Sequence, residues 1–248
     1  MSRRALAALG LAALLLPQAA QAEDAWTFKL VPYVWMTGLS GDVGTLPPAP
    51  PANIDLSFRD VLENLDMAAF VVGEARHGDF FLVGEMTYAK LSTDGKTPGP
   101  FFSGVDLTAT TFMAGLGAGY TLNRGERHRI DAWAGARIWS IDTELKLKPG
   151  ILAGQKASDS KTFVDPVVGA MLSFDIAPDW ILNASGSIGG FGAAADLEWG
   201  VTGSVTYQIS DTWGVVAGYR YLAVDYDRNG FVFDVSQSGP LIGTVISF

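Results

Sequence analysis

The feature that most constrains this chain is the strict alternation running through residues 211–248. From Trp213 onward, Trp213, Val215, Ala217, Tyr219, Tyr221 and Ala223 share one face, while Gly214, Gly218 and Arg220 fall on the other. A period of two defines a strand, and this run outlasts the roughly five or six residues usual in soluble sheets. Asn229-Gly230 then supplies the two positive-φ positions of a tight hairpin turn. The returning run ends on Ile242, Thr244, Ile246 and Phe248, all of one parity. Aromatic residues at the ends of an otherwise aliphatic stripe suit the two edges of a bilayer.

The same alternation recurs upstream. Met67, Ala69, Val71, Gly73 and Ala75 oppose Phe70, Val72, Glu74 and Arg76, and across His77-Gly78-Asp79 the series Phe80, Leu82, Gly84, Met86 and Tyr88 opposes Phe81, Val83, Glu85 and Thr87. A polar loop is expected at 95–100. Phe112, Ala114, Leu116, Ala118, Tyr120 and Leu122 then face away from Thr111, Met113 and three glycines. Those glycines share a parity that keeps one face small, and they lack the spacing of a nucleotide loop. Asp131, Gly135 and Arg137 oppose Ala132, Ala134, Ala136 and Ile138 in a strand reaching about Leu147, and a lysine-bearing loop is expected to continue to Ser160. Val164 to Phe174, Leu182 to Ile188 and Leu197 to Tyr207 repeat the apolar parity, with Asp165 and Glu198 opposite it.

These segments make about ten strands, each of the roughly 9–11 residues that a tilted bilayer crossing needs. An even count places both chain ends on the periplasmic side, with short turns at Gly78, Gly125, Pro178 and Ser210 and longer connections outside. The expected fold class is all-β: an antiparallel up-and-down transmembrane β-barrel with a short helix in the first external loop. Charged residues facing lipid near the midplane cost roughly 2–4 kcal/mol for Arg, so Glu74, Arg76, Glu85, Asp131, Arg137, Asp165, Glu198 and Arg220 are assigned to the lumen as a paired charge network.

The first strand, expected over 26–38, carries aromatics on both faces, and Pro32 argues for an edge or a bulge. The long connection 41–66 includes a Pro-rich stretch that is neither strand nor helix. Beyond it, Ser57 with Asp60 three residues on marks a helix start, and Phe58, Val61, Leu62 and Leu65 recur at helical spacing. The apolar stripe predicts a helix lying against the barrel mouth or the outer leaflet.

Residues 1–22 read as a cleaved secretory signal peptide: Arg3 and Arg4, an apolar run from Ala5 to Leu16, and Ala20-Gln21-Ala22 before the cut. Residues 23–248 then form a single barrel domain. Without Arg3 and Arg4 the chain holds 15 Lys+Arg against 26 Asp+Glu, a net charge of −11, which argues against nucleic acid as a partner. The absence of cysteine excludes disulfides and thiolate metal sites. No cofactor and no metal site is expected.

A C-terminal phenylalanine closing such a strand resembles the assembly signal of Gram-negative outer-membrane β-barrels. Over nearly all of the mature chain the pattern is similar to small outer-membrane barrels of the OmpA/OmpW-like kind. The resemblance implies an outer-membrane location, contact with outer-membrane lipid and lipopolysaccharide, and recognition of Phe248 by the barrel assembly machinery. The best-known members of that class have fewer strands, so no functional residue is carried over.

The expected role is structural, or that of a narrow channel for a small solute, without catalysis. The alternative is a surface recognition or adhesion barrel acting through external loops; an outer-membrane lipid-modifying hydrolase ranks below both. The only histidines, His77 and His128, fall at expected periplasmic turns, far from an outer-rim active site. Asp225, Asp227, Asn229 and Gly230 match the first half of a calcium loop, but the twelfth position is Ser236, and the hairpin turn accounts for the residues. Lys146, Lys148, Lys156 and Lys161 flank an external loop; a solvated loop is the plainer reading, and contact with lipopolysaccharide phosphates is the sharper one.

Overall fold

A computed structural model describes residues 25–47, 50–97 and 100–248. The expected signal peptide therefore lies outside the described residues. Among the described residues the chain has twelve strands: β1 (Thr27–Trp35), β2 (Gly38–Gly44), β3 (Ala52–Leu56), β4 (Leu65–His77), β5 (Phe80–Gly95), β6 (Phe102–Arg124), β7 (His128–Pro149), β8 (Gln155–Ala177), β9 (Trp180–Gly189), β10 (Leu197–Gln208), β11 (Trp213–Arg228) and β12 (Phe231–Ser247). Ten of them, β1 and β4 to β12, close an antiparallel barrel. Neighbours in sequence pair from β4 through β12, and β1 closes the cylinder between β12 and β4.

The expected first strand is β1, and a further strand, β2, follows it into the segment expected as a connection. β1 and β2 follow one another along β12, which meets β1 over Leu241–Ser247 and β2 over Val232–Ser238. Between them the chain jogs at Met36-Thr37, where the Gly239 backbone comes so close that an added Cβ would lie 2.0 Å from the Met36 carbonyl oxygen. Beyond the jog β2 leaves β4 and pairs with β3 instead. Pro32 sits at neither edge nor bulge: it pairs with Val71 of β4, and its missing donor coincides with a gap in the β1–β12 ladder.

The expected 41–66 loop is likewise mostly ordered structure. Helix α1 spans Phe58–Glu63 and begins with a full capping box, Ser57 accepting from the Asp60 amide and Asp60 accepting from the Ser57 amide. Phe58, Val61 and Leu62 lie on it, but Leu65 is the first residue of β4. The helix packs against β2 and β3, and Leu62 remains more than half exposed.

The outward parity carries the large exposed apolar side chains, among them Leu116, Val164, Val201, Trp213 and Ile242. The charge-free outward stretch covers 130–138 on β7, 164–174 on β8 and 197–207 on β10, matching a crossing of roughly 9–11 residues. Aromatic pairs gather at the periplasmic rim: Trp26 with Phe28 and Phe80, Phe28 with Phe248, and Trp180 with Tyr207. Phe248 also exchanges two backbone hydrogen bonds with Phe28, of 2.7 and 3.0 Å, stapling the last residue to the first strand.

The lysine-bearing loop expected from 147 to 160 is instead a continuation of the barrel wall. β7 runs to Pro149 and β8 starts at Gln155, with unbroken pairing between them. With β5 and β6 they project about ten residues beyond the apolar belt, roughly 30 Å along the strand. A second lobe, β11, β12, β2 and β3, rises on the other side.

Candidate functional site: the closed lumen

All eight charged residues assigned to the lumen point inward, and the structure sorts them by depth. At the periplasmic end, Arg76 forms a fork with Glu74, at 3.1 and 3.3 Å, and donates to Asp131 at 2.9 Å. Thr121 and Arg129 complete the hydrogen bonding of Asp131, and the Arg76 guanidinium lies 4.4 Å from the Phe81 ring centroid. Every strand that contributes here does so through its inward parity, so the layer follows directly from the pleat.

A second layer crosses mid-barrel. Glu85 accepts from Arg137 and, at 3.0 Å, from Arg220; Arg137 also donates to Glu198 at 3.1 Å. Tyr33 hydroxyl accepts from Arg220 at 2.6 Å, and Trp139 donates its indole N–H to Glu198 at 2.7 Å. Glu198 is fully buried, so both of its oxygens need these partners. Glycines make the room. An added Cβ at Gly119 would meet Phe81 at 2.2 Å, and one at Gly117 would meet Trp133 at 2.6 Å.

Asp165 belongs to neither layer. Its Oδ1 accepts from the backbone amides of Ala194 and Ala195, at 3.0 and 2.9 Å, holding the 190–196 connection inside the barrel mouth. Its Oδ2 is buried without a hydrogen-bond partner among the described residues.

Above these groups the lumen is not polar, contrary to the sequence expectation. Trp35, Met113, Trp139, Ile141, Phe163, Leu222, Val224, Tyr226, Phe231, Phe233 and Val235 form one apolar core between the two lobes. Phe163 of one lobe stacks on Tyr226 of the other at 4.2 Å between centroids, and Trp139 approaches Phe233 at 6.4 Å. Inward side chains above the belt face the opposite lobe rather than water, so apolar burial drives the mouth shut. Sequence reasoning missed this core together with Lys29, Tyr33, Arg129 and Trp139. Its available signal was the inward parity of Tyr226, Phe231 and Phe233 beside a turn that must lie outside the membrane.

Below the core lies a cavity of about 280 Å³. One wall is aliphatic, with Val31, Val72, Val83, Val216 and Val245; the facing wall, from β9 and β10, is lined by Asn183, Ser185, Ser187, Thr202, Ser204 and Thr206. Lys29, Glu74 and Arg129 lie toward the periplasmic end, and Glu85, Arg137 and Arg220 roof it.

The remaining candidates have local roles. His128 shares a hydrogen bond with Asn123 at the β6–β7 turn, and His77 packs against the Trp26 ring. Asn229 and Gly230 adopt φ of 57° and 81° in the outer hairpin turn. Burial, then the nearby carboxylates of Asp234, Asp196 and Asp227, push the Asp225 carboxyl above its usual range. No group of three or more metal-binding side chains is arranged to hold an ion among the described residues. Lys146 and Lys156 both pair with Glu144, whose carboxyl is held down to about 2 by their hydrogen bonds, and Lys148 pairs with Asp106 at 2.6 Å.

No protein-family model matches the sequence, and no curated protein matches it. Solved structures do. The chain is similar to the translocator domain of autotransporter NalP from Neisseria meningitidis, with a TM-score of 0.52 and 11% identity over 91% of this chain and 89% of that one. It is also similar to the outer membrane protease OmpT from Escherichia coli (TM-score 0.49, 9% identity, 91% and 94% covered). A third is Ail, the attachment invasion locus protein of Yersinia pestis (0.36, 11%, 91% and 99%). At these identities the likeness is one of fold. The chain has the closed antiparallel β-barrel fold, with an apolar outward belt, that the NalP translocator domain shares.

Proposed function

We propose that this barrel is a structural, non-catalytic component of the outer membrane, closed to through-flow. The observation that carries the reading is the apolar core between the lobes: Phe163 on Tyr226 and Trp139 beside Phe233 fill the space above the charge layers with apolar side chains. Neither His77 nor His128 faces the lumen or the outer rim, which speaks against histidine-based hydrolysis. Purified protein in planar bilayers is expected to show no steady unitary conductance. Regular single-channel steps from the wild-type protein would overturn the reading.

A second reading, surface recognition, rests on one observation. From Gln155 to Pro166, β8 pairs with β7 on one side only, because β9 first meets it at Val167. An unpaired strand edge is a template for another extended chain. Lipopolysaccharide is the proposed neighbour of this lobe, although three of the four lysines expected to meet its phosphates already pair within the chain. The periplasmic position of Phe248 is consistent with its proposed reading by the assembly machinery.

A further inference from the structure

The cavity beneath the mid-barrel layer lies under the apolar core and is lined by several charged side chains. Lys29, Arg129, Arg137, Arg220, Glu74 and Glu85 line it, and with the partners Arg76, Asp131 and Glu198 behind them the layers hold five cations against four carboxylates. The excess has an address. Glu74 is held by the Arg76 fork and approached by Arg129 at 3.8 Å, and Arg129 gives its Nε to Asp131. Lys29 stands directly across the β1–β4 ladder from Glu74, yet makes no hydrogen bond or ion pair among the described residues. Asp165 is bound by backbone amides in the mouth and cannot supply the missing charge, and Asp175, which shares its parity on β8, lies beyond the cavity lining.

We propose that this cavity binds a small organic monoanion entering from the periplasmic end. Its acidic group pairs with Lys29 and the outward edge of Arg129, and its apolar body rests on Val72, Val83 and Val216. The hydroxyl wall of Ser185, Thr202 and Ser204 takes up any further polar group. At about 30 Å³ per water, the 280 Å³ holds roughly nine waters or one organic molecule of similar heavy-atom count. That sets an upper size near a single substituted ring. A bare inorganic anion would satisfy Lys29 while leaving the aliphatic wall against water, so the amphiphilic anion is the better complement.

Isothermal titration of the full barrel in nanodiscs tests the assignment, with benzoate and benzyl alcohol as probes of equal ring and different charge. Benzoate is expected to bind at least about tenfold more tightly, as one charge-assisted pair implies. Lys29→Gln should bring benzoate down to the level of benzyl alcohol, and Lys29→Arg should retain the preference. Sodium chloride and sodium phosphate titrated alone serve as the inorganic controls. Equal affinity for the two probes, no saturable heat from benzoate, an unaltered preference in Lys29→Gln, or phosphate binding as tightly as benzoate would each overturn the proposal. The comparison of probes on the wild-type barrel stands even where the variants fail to insert.

Discussion

Arg137→Met is the perturbation with the clearest consequence. Arg137 is buried and serves two carboxylates at once, Glu85 and Glu198. They do not lose equally. Glu85 keeps Arg220 at 3.0 Å and faces the cavity, whereas Glu198 is fully buried and keeps only the Trp139 indole. Removing the guanidinium therefore strands one buried charge, and breaking such a pair costs about 3–5 kcal/mol. With a urea slope of about 2 kcal/mol/M, the unfolding midpoint of the reconstituted barrel should fall by about 2 M. Tryptophan fluorescence reports the transition, since Trp139 sits at the junction. The double variant Arg137→Met/Glu198→Gln removes the stranded charge while leaving an acceptor for Trp139, and it should recover more than half of the loss. A single-variant cost under about 1 kcal/mol, or a double variant no better than the single, would refute the reasoning.

The other expectations concern the loop, the wall and the outer lobe. Asp165→Ala removes the acceptor of two backbone amides, so hydrogen exchange at Ala194 and Ala195 should accelerate by at least about tenfold, while Asp165→Asn retains most protection. Gly119→Ala places a Cβ 2.2 Å from the Phe81 ring and 2.6 Å from the Ala132 carbonyl oxygen and should cost about 1–3 kcal/mol in urea unfolding; Gly203→Ala, with nothing within 4 Å, should be near neutral. Glu144, lowered to about 2 by Lys146 and Lys156, should stay ionised well into acid. Because its folded value lies below the unfolded one, its contribution is complete above the ordinary carboxylate range and fades as pH falls toward 2, which carboxyl carbon NMR of the reconstituted barrel can follow.

What the sequence revealed and what it hid divide along one physical line. Parity is a local property, so the lipid-facing stripe, the inward placement of Arg137 and Glu198, and the periplasmic turns were legible residue by residue. The cap of α1 was legible for the same reason, because Ser57 and Asp60 act within one turn. Strand length beyond the membrane was not. The segment from Gln155 to Lys161 is polar on both faces and reads as loop, and it is a strand only because β7 lies beside it. Leu65 shows the converse: it continues the helical spacing of Phe58 and Leu62, yet the β5 ladder claims it through Leu91. That Arg76 rather than Lys29 holds Glu74 was a fact of three-dimensional competition.

The depth sorting also makes closure and charge pairing one structure. Trp139 belongs to the apolar core by its ring and to the charge layer by its indole N–H, which Glu198 accepts. Arg220 likewise pairs with Glu85 below while its guanidinium lies 5.0 Å from the Trp35 ring above. Parting the lobes far enough to admit water would separate Phe163 from Tyr226, and any shift of Trp139 that goes with it would leave an oxygen of buried Glu198 without its donor. That second loss costs about 1–3 kcal/mol or more on top of the exposed apolar surface. On the proposed reading, a conducting state must part Phe163 from Tyr226 before water can enter.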